Sequence, residues 1–374
     1  AVIVQIVRPR QPRVLFDVWL FQAYERFVFL AIRNSTIQIL LLISTFVFVK
    51  EKSDLPIYIV INCMAVLLAN VSVWFELRKY VSPVPFKKLR FKKHIKSIMI
   101  FFIPTVAASV YSVLDKSVIK WITGSAEENG YYEQAYLILM IINAVVQSLS
   151  TVSSPRMSNT FVHGTRDEFV GRLNMSLRFM LFISIPLATG MAGVANRFIP
   201  LYFGKDYMPA VNIVYIFMPL VLMLGFSTYL DGMYLIPAGK RKQSATAICI
   251  GAIGNFFLNI YMVSKLAAIG AAIATLATEA FIAGCFIVLS RSVIDFKRIG
   301  GWLLRYVIAG ALLFAVVKAI DYGVQNALLC IALQVVSGAC VYFMVLIVIK
   351  DDLMLEMIAT VKRILNRGAK KGSK

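Results

Sequence analysis

Residues 327–349, ALLCIALQVVSGACVYFMVLIVI, run for 23 positions without one charged side chain. An α-helix of that length is about 35 Å long, enough to cross the ~30 Å hydrocarbon core of a bilayer. Hydrocarbon offers no partner to a backbone N–H or C=O, so a spanning segment must satisfy its own and is helical. The pattern recurs upstream, near 32–49, 56–77, 98–115, 131–151, 177–196, 210–231, 244–262, 267–290 and 302–320. Ten spans are therefore expected. No alternating strand pattern accompanies them, which excludes a β-barrel. The expected fold class is an all-α polytopic membrane protein.

Composition agrees. Hydrophobic residues make up 59% of the 374 and charged residues 16%, against about 45–50% and about 25% in soluble domains. Mean hydropathy is +0.77. A net charge of +20 raises the question of nucleic acid. The basic residues, however, lie between apolar runs, with no zinc-finger or RNA-binding motif beside them, so no nucleic-acid partner is expected. Nineteen Lys and Arg fall in one set of alternating loops and eight in the other, and the N-terminal segment and tail add twelve to the richer side. The positive-inside rule makes that side, with the C-terminus, cytoplasmic. Residues 78–97 and 352–374 are dense in basic and apolar residues and are expected at the headgroup layer.

Little here suggests catalysis. Cys63, Cys249, Cys285, Cys330 and Cys340 all lie inside apolar runs with no CxxC pair, and His94 and His163 are the only histidines. Neither a metal site nor a disulfide framework follows. No GxSxG, HExxH or Walker loop is present. No enzyme activity and no cofactor are expected, and any driving force is an ion gradient, the membrane potential or the substrate gradient.

Polar groups inside lipid are costly and face a partner or a wet cavity. On the third span Thr105, Ser109, Ser112 and Lys116 share one helical face, with Asp115 beside Lys116. On the fourth, Tyr136, Asn143, Gln147, Ser150 and Ser154 do the same, with Glu133 at the outer start and Arg156 past the inner end. Two such stripes facing each other would line a hydrophilic passage. Taken singly, these residues could instead hydrogen-bond between packed helices, at about 0.6 kcal/mol each. Glu279 stands alone in a small, apolar span and is the candidate for ion coupling, with Asn255 and Asn259 on the preceding span as possible partners. Asp231 ends the sixth span and reads as interfacial. Pro104, Pro186 and Pro219 predict kinks. Gly270, Ala274, Ala277 and Gly284 would let helices approach closely.

Several phrases resemble a known family. Asp115-Lys116, Trp121-Ile122-Thr123-Gly124 and Gly130-Tyr131-Tyr132-Glu133-Gln134-Ala135 are similar to a signature of bacterial polysaccharide repeat-unit transporters. These are the O-antigen and capsule flippases of the multidrug/oligosaccharidyl-lipid/polysaccharide exporter superfamily. Ser154-Pro155-Arg156-Met157-Ser158, the stretch 269–275 with Thr278-Glu279, and Trp19-Leu20-Phe21-Gln22 with Glu25-Arg26-Phe27 also resemble family segments. The resemblance implies twelve to fourteen spans in two lobes around a cationic cavity. On that frame residues 1–77 are the remainder of the N-terminal lobe, 78–97 the cytoplasmic linker, 98–290 the C-terminal lobe, and 291–374 two extra spans with a basic tail. The chain opens Ala1-Val2-Ile3 without Met, and on this frame four helices are expected ahead of it.

The implied substrate is an undecaprenyl-diphosphate-linked oligosaccharide repeat unit, flipped across the bacterial cytoplasmic membrane for surface polysaccharide synthesis. Lys116 and Arg156 would contact the diphosphate, and Asn143 and Gln147 the sugars. Asp115, Ser109, Ser112, Glu133 and Tyr136 complete the candidate cavity. Membrane lipid and other polysaccharide-assembly proteins are the further partners implied. Three alternatives stand beside this: a drug/cation antiporter of the same superfamily, a membrane polymerase or ligase, and an inactive truncated product.

Overall fold

The computed structural model describes residues 27–77 and 91–359. Among them every long element is a helix: α1 Phe27–Phe48, α2 Leu55–Leu77, α3 Phe91–Thr123, α4 Ala126–His163, α5 Arg166–Tyr202, α6 Ala210–Leu230, α7 Arg241–Leu289, α8 Phe296–Gly323 and α9 Ala327–Val348. Among the described residues, eight helices are long and apolar enough to cross a membrane. α7 is two rods merged across a kink at Ala267 (φ 50°, ψ −131°), called α7a (241–266) and α7b (268–289) below. With that division and with α3, ten rods stand where ten spans were expected. Residues 78–90 of the expected linker and 360–374 of the tail lie outside the described residues.

The contacts form two units, Ala1–Lys96 and Ser97–Lys374. In the first, α1 and α2 pair through a short turn. Asp54 accepts the backbone N–H groups of Lys50 (2.9 Å) and Glu51 (3.0 Å). Pro56 stands in the first turn of α2, where a missing N–H costs the helix nothing.

In the second unit α4 and α5 run 38 and 37 residues, well past the hydrocarbon thickness. Their ends extend because the flanking sequence caps them. Ser125 accepts the Glu128 N–H (3.2 Å) and Thr165 the Glu168 N–H (3.2 Å). Acidic residues fill both first turns, where the helix dipole favours them. α6 runs into a π-turn at Asp231–Leu235, so Asp231 is not a simple end. It is half-buried and ion-paired to Arg241 at 2.5 Å.

Close helix approach is set by glycines other than the expected run. A Cβ on Gly193 would lie 2.5 Å from Val317, and one on Gly310 2.9 Å from Ile185, where α5 meets α8. Gly284 has open space around it and Ala277 is exposed, so the run Gly270, Ala274, Ala277, Gly284 is not one packing seam. Its members share no single face toward a neighbour.

α8 and α9 are tied to α5 by charge as well as packing. The Arg178 guanidinium, one of the nineteen cations that the sequence assigns to the richer set of loops, is buried. It donates to Asp351 (2.9 Å) and to the Tyr306 hydroxyl (3.2 Å) and lies 5.0 Å from the Trp302 ring. At the other end of α5, Arg197 pairs with Asp321 at 2.7 Å. Many large apolar side chains, such as Phe257 and Leu304, remain exposed, as a lipid-facing surface requires.

Candidate functional site

The site forms where α3 and α4 turn back on each other. Gly124 adopts φ +67°, a conformation glycine takes at no steric cost, and this ends α3. Ser125 then starts α4 at once. The short link makes the two helix ends antiparallel neighbours, so side chains pair symmetrically about it. Tyr132 donates its hydroxyl to Asp115 (2.8 Å), and Lys116 its ammonium to Glu133 (2.7 Å), each across 17 residues.

The Asp115 carboxylate is 1% exposed. Besides Tyr132 it accepts the Thr275 hydroxyl (2.9 Å) and the Asn259 amide. The Tyr132 and Thr275 hydroxyls lie 3.2 Å apart. Asn259 also reaches Asn255 (3.4 Å), which donates to Thr278 (3.2 Å), the residue before Glu279. The kink at Ala267 makes this possible. It folds α7b back along α7a, so asparagines one turn apart on one rod meet threonines on the other. Four rods thus contribute to one buried polar cluster. A carboxylate in apolar surroundings needs such donors.

Aromatic rings wall the cluster. Tyr132 stacks on Tyr136 (6.1 Å between centroids), and Phe217 of α6 meets both edge-on at 5.5 and 6.2 Å. Lys116 sits 5.8 Å over the Tyr136 ring and stays partly exposed with Glu133.

The structure brings Asp115, Lys116, Glu133 and Tyr136 together at one end of the α3–α4 hairpin. It leaves the other candidates farther along α4. Asn143 is buried with its Oδ1 lacking a partner, Gln147 is partly exposed and Arg156 is exposed. Ser150 and Ser154 sit beside Gly232, whose Cβ would lie 3.2 Å from the Ser154 hydroxyl. Ser150 and Ser154 of the α4 stripe therefore turn toward the π-turn that follows α6. The side chains of Ser109 and Ser112 lie outside the described residues. Glu279 is buried on α7b, within electrostatic range of Tyr136.

Tyr132 and Thr275 are the members that sequence reasoning missed. The signal was present: Tyr132 stands four residues before Tyr136, on the same helical face, and a carboxylate at Asp115 demands donors. A second feature lies between α4, α5, α8 and α9, where a groove of about 460 Å³ is walled by Phe182, Pro186, Leu313 and Phe343, with Gln334 its main polar member.

The described residues form a multi-pass helical membrane fold, with polar clusters buried inside membrane-length rods. It superposes on a lipid II flippase MurJ in an inward closed conformation with a TM-score of 0.70 and 19% identity, covering 88% of this chain and 69% of that one. The sequence model of the family described as "Polysaccharide biosynthesis protein" matches residues 9–161. Two relatives bear the name "Putative O-antigen transporter". One, from Shigella dysenteriae, is 22% identical over 72% of this chain and 67% of its own length. The other, from Escherichia coli K12, is 22% identical over 75% and 67%. Together these matches make the chain similar to polysaccharide biosynthesis proteins over residues 9–161 and to proteins named as O-antigen transporters over about three quarters of its length.

Proposed function

We propose that this chain, within a two-lobe transporter, moves an undecaprenyl-diphosphate-linked oligosaccharide repeat unit across the bacterial cytoplasmic membrane by alternating access, with its C-terminus cytoplasmic. The family match and the transporter names of the relatives support a lipid-linked sugar as cargo. Its diphosphate cannot cross hydrocarbon unaided, since an idealised ion transfer costs on the order of 20 kcal/mol per charge.

The observation that carries this reading is Lys116. Its ammonium is partly exposed, lies over the Tyr136 ring and is ion-paired to a more accessible Glu133, so a diphosphate can replace that carboxylate at little cost. Arg156 would receive the anion farther along α4. Gln147 is reachable for sugar hydroxyls, and Asn143 becomes so when the lobe opens. The apolar groove offers a wall to hydrocarbon while the headgroup moves. The buried carboxylates Asp115 and Glu279 are the candidates for ion coupling, because a change of their charge state alters the cost of their burial.

The test replaces Lys116 and Arg156 by Ala in the full-length protein and measures surface polysaccharide. Loss of most of it is expected. Normal amounts with both replaced reject the assignment.

A further inference from the structure

Beyond the cluster itself, one contact controls the way into it. Ala267 takes φ 50° and ψ −131°, a combination that turns normally give to glycine. A non-glycine residue persists there only when its surroundings hold it. The reversal is tight, since a Cβ on Gly270 would lie 2.1 Å from the Met262 carbonyl oxygen. α7b therefore begins abruptly, with its first N–H groups lacking partners within the helix. The local sequence supplies no cap. Residues 265–274, KLAAIGAAIA, contain no Ser, Thr, Asp or Asn.

The cap comes from another helix. Glu128, in the first turn of α4, accepts the Ala268 N–H at 3.1 Å. This contact belongs to a ladder. One turn deeper on α4 lies Tyr132, and two turns deeper on α7b lies Thr275, and these two meet over Asp115. Glu128 is half-exposed while Ala268, Thr275 and Asp115 are buried. The Glu128 rung is thus the last one between water and the cluster along this seam.

We propose that Glu128 is a positioning residue that latches the strained start of α7b. While it holds, Thr275 is kept on Asp115 and the α4–α7b seam is closed to water. When it lets go, the hinge at Ala267 relaxes and the cluster opens toward that end of the lobe. The role of that opening in transport rests on the function proposed above; the latch itself does not.

Hydrogen exchange followed by mass spectrometry, on the chain in lipid nanodiscs, separates the two. Glu128→Ala should speed exchange of the amides at 268–272 by roughly fivefold, the size of losing one side-chain cap. Exchange in 250–259 of α7a and 177–189 of α5 should stay unchanged. Glu128→Gln keeps an acceptor oxygen and should stay near wild type, an outcome that a generally loosened fold would not give. Unchanged exchange at 268–272 in Glu128→Ala overturns the latch, as does equal acceleration in all three segments. Surface polysaccharide is measured in parallel on the full-length protein. A faster-exchanging Glu128→Ala with normal polysaccharide overturns the gating role. A wild-type protein that supports no polysaccharide strikes the transport reading and leaves the exchange result standing.

Discussion

The Tyr132 hydroxyl, on α4, donates to the carboxylate of Asp115, on α3, at 2.8 Å, and both side chains are 1% exposed. A buried hydrogen bond to a charged group contributes about 1.5–3 kcal/mol. Tyr132→Phe removes the donor and keeps the ring against Phe217. It should lower stability by about that amount in a denaturant or thermal unfolding series in detergent. A loss below a few tenths of a kcal/mol would show that Asn259 and Thr275 satisfy Asp115 on their own.

Arg178 and Asp351 form the most deeply buried ion pair among the described residues, at 8% and 0% side-chain exposure. Removing one partner strands a charge, which costs about 3–5 kcal/mol. Asp351→Ala should therefore destabilise strongly. The double change Arg178→Met with Asp351→Leu should recover much of the loss, because an apolar pair of similar volume needs no counter-charge. Unfolding of α8–α9, followed by limited proteolysis, reads both.

By contrast, Lys116→Ala and Glu133→Gln should leave stability within about 1 kcal/mol of wild type, since the pair is solvent-accessible. A fall in surface polysaccharide without a fall in stability would then be a transport effect. Equal losses in both would make the pair structural.

Glycines separate by what surrounds them. Gly193→Ala puts a Cβ 2.5 Å from Val317 and should cost about 1–3 kcal/mol by overpacking. Gly284→Ala meets nothing within 4 Å and should stabilise by about 0.5–1 kcal/mol through helix propensity. Thermal shifts of opposite sign are the expected result.

Asp54 supplies a pH dependence. The N–H groups of Lys50 and Glu51 hold its carboxyl below the usual carboxylate range. A depressed folded-state value means that its contribution is present above the unfolded value near 3.9 and lost as pH falls through the folded one. The α1–α2 turn should therefore be intact at neutral pH and loosen below about pH 4, and Asp54→Asn should abolish that transition. Amide exchange of Glu51 measures it.

Much of this molecule is legible one segment at a time. Length and apolarity around residues such as 327–349 dictate helices, because hydrocarbon offers the backbone no other partner. The resemblance to a transporter family rests on short motifs such as Gly130–Ala135. Lys116 and Glu133 could be flagged as charges at the ends of spans for the same local reason.

What meets what needed the third dimension. Helical spacing places Tyr136, Ser150 and Ser154 on one face, but not which neighbour that face touches, and the neighbour proved to be α6 with the π-turn that follows it. Asn255 and Asn259 pointed in sequence toward Glu279. In space Asn259 serves Asp115, 144 residues away, because the reversal at Ala267 lays α7b along α7a. Arg178 looked like a loop cation until Asp351, 173 residues later, closed on it. Local pattern determines which side chains a helix presents. Only packing of distant helices decides which buried charge finds its partner, since that choice depends on distances no single segment contains.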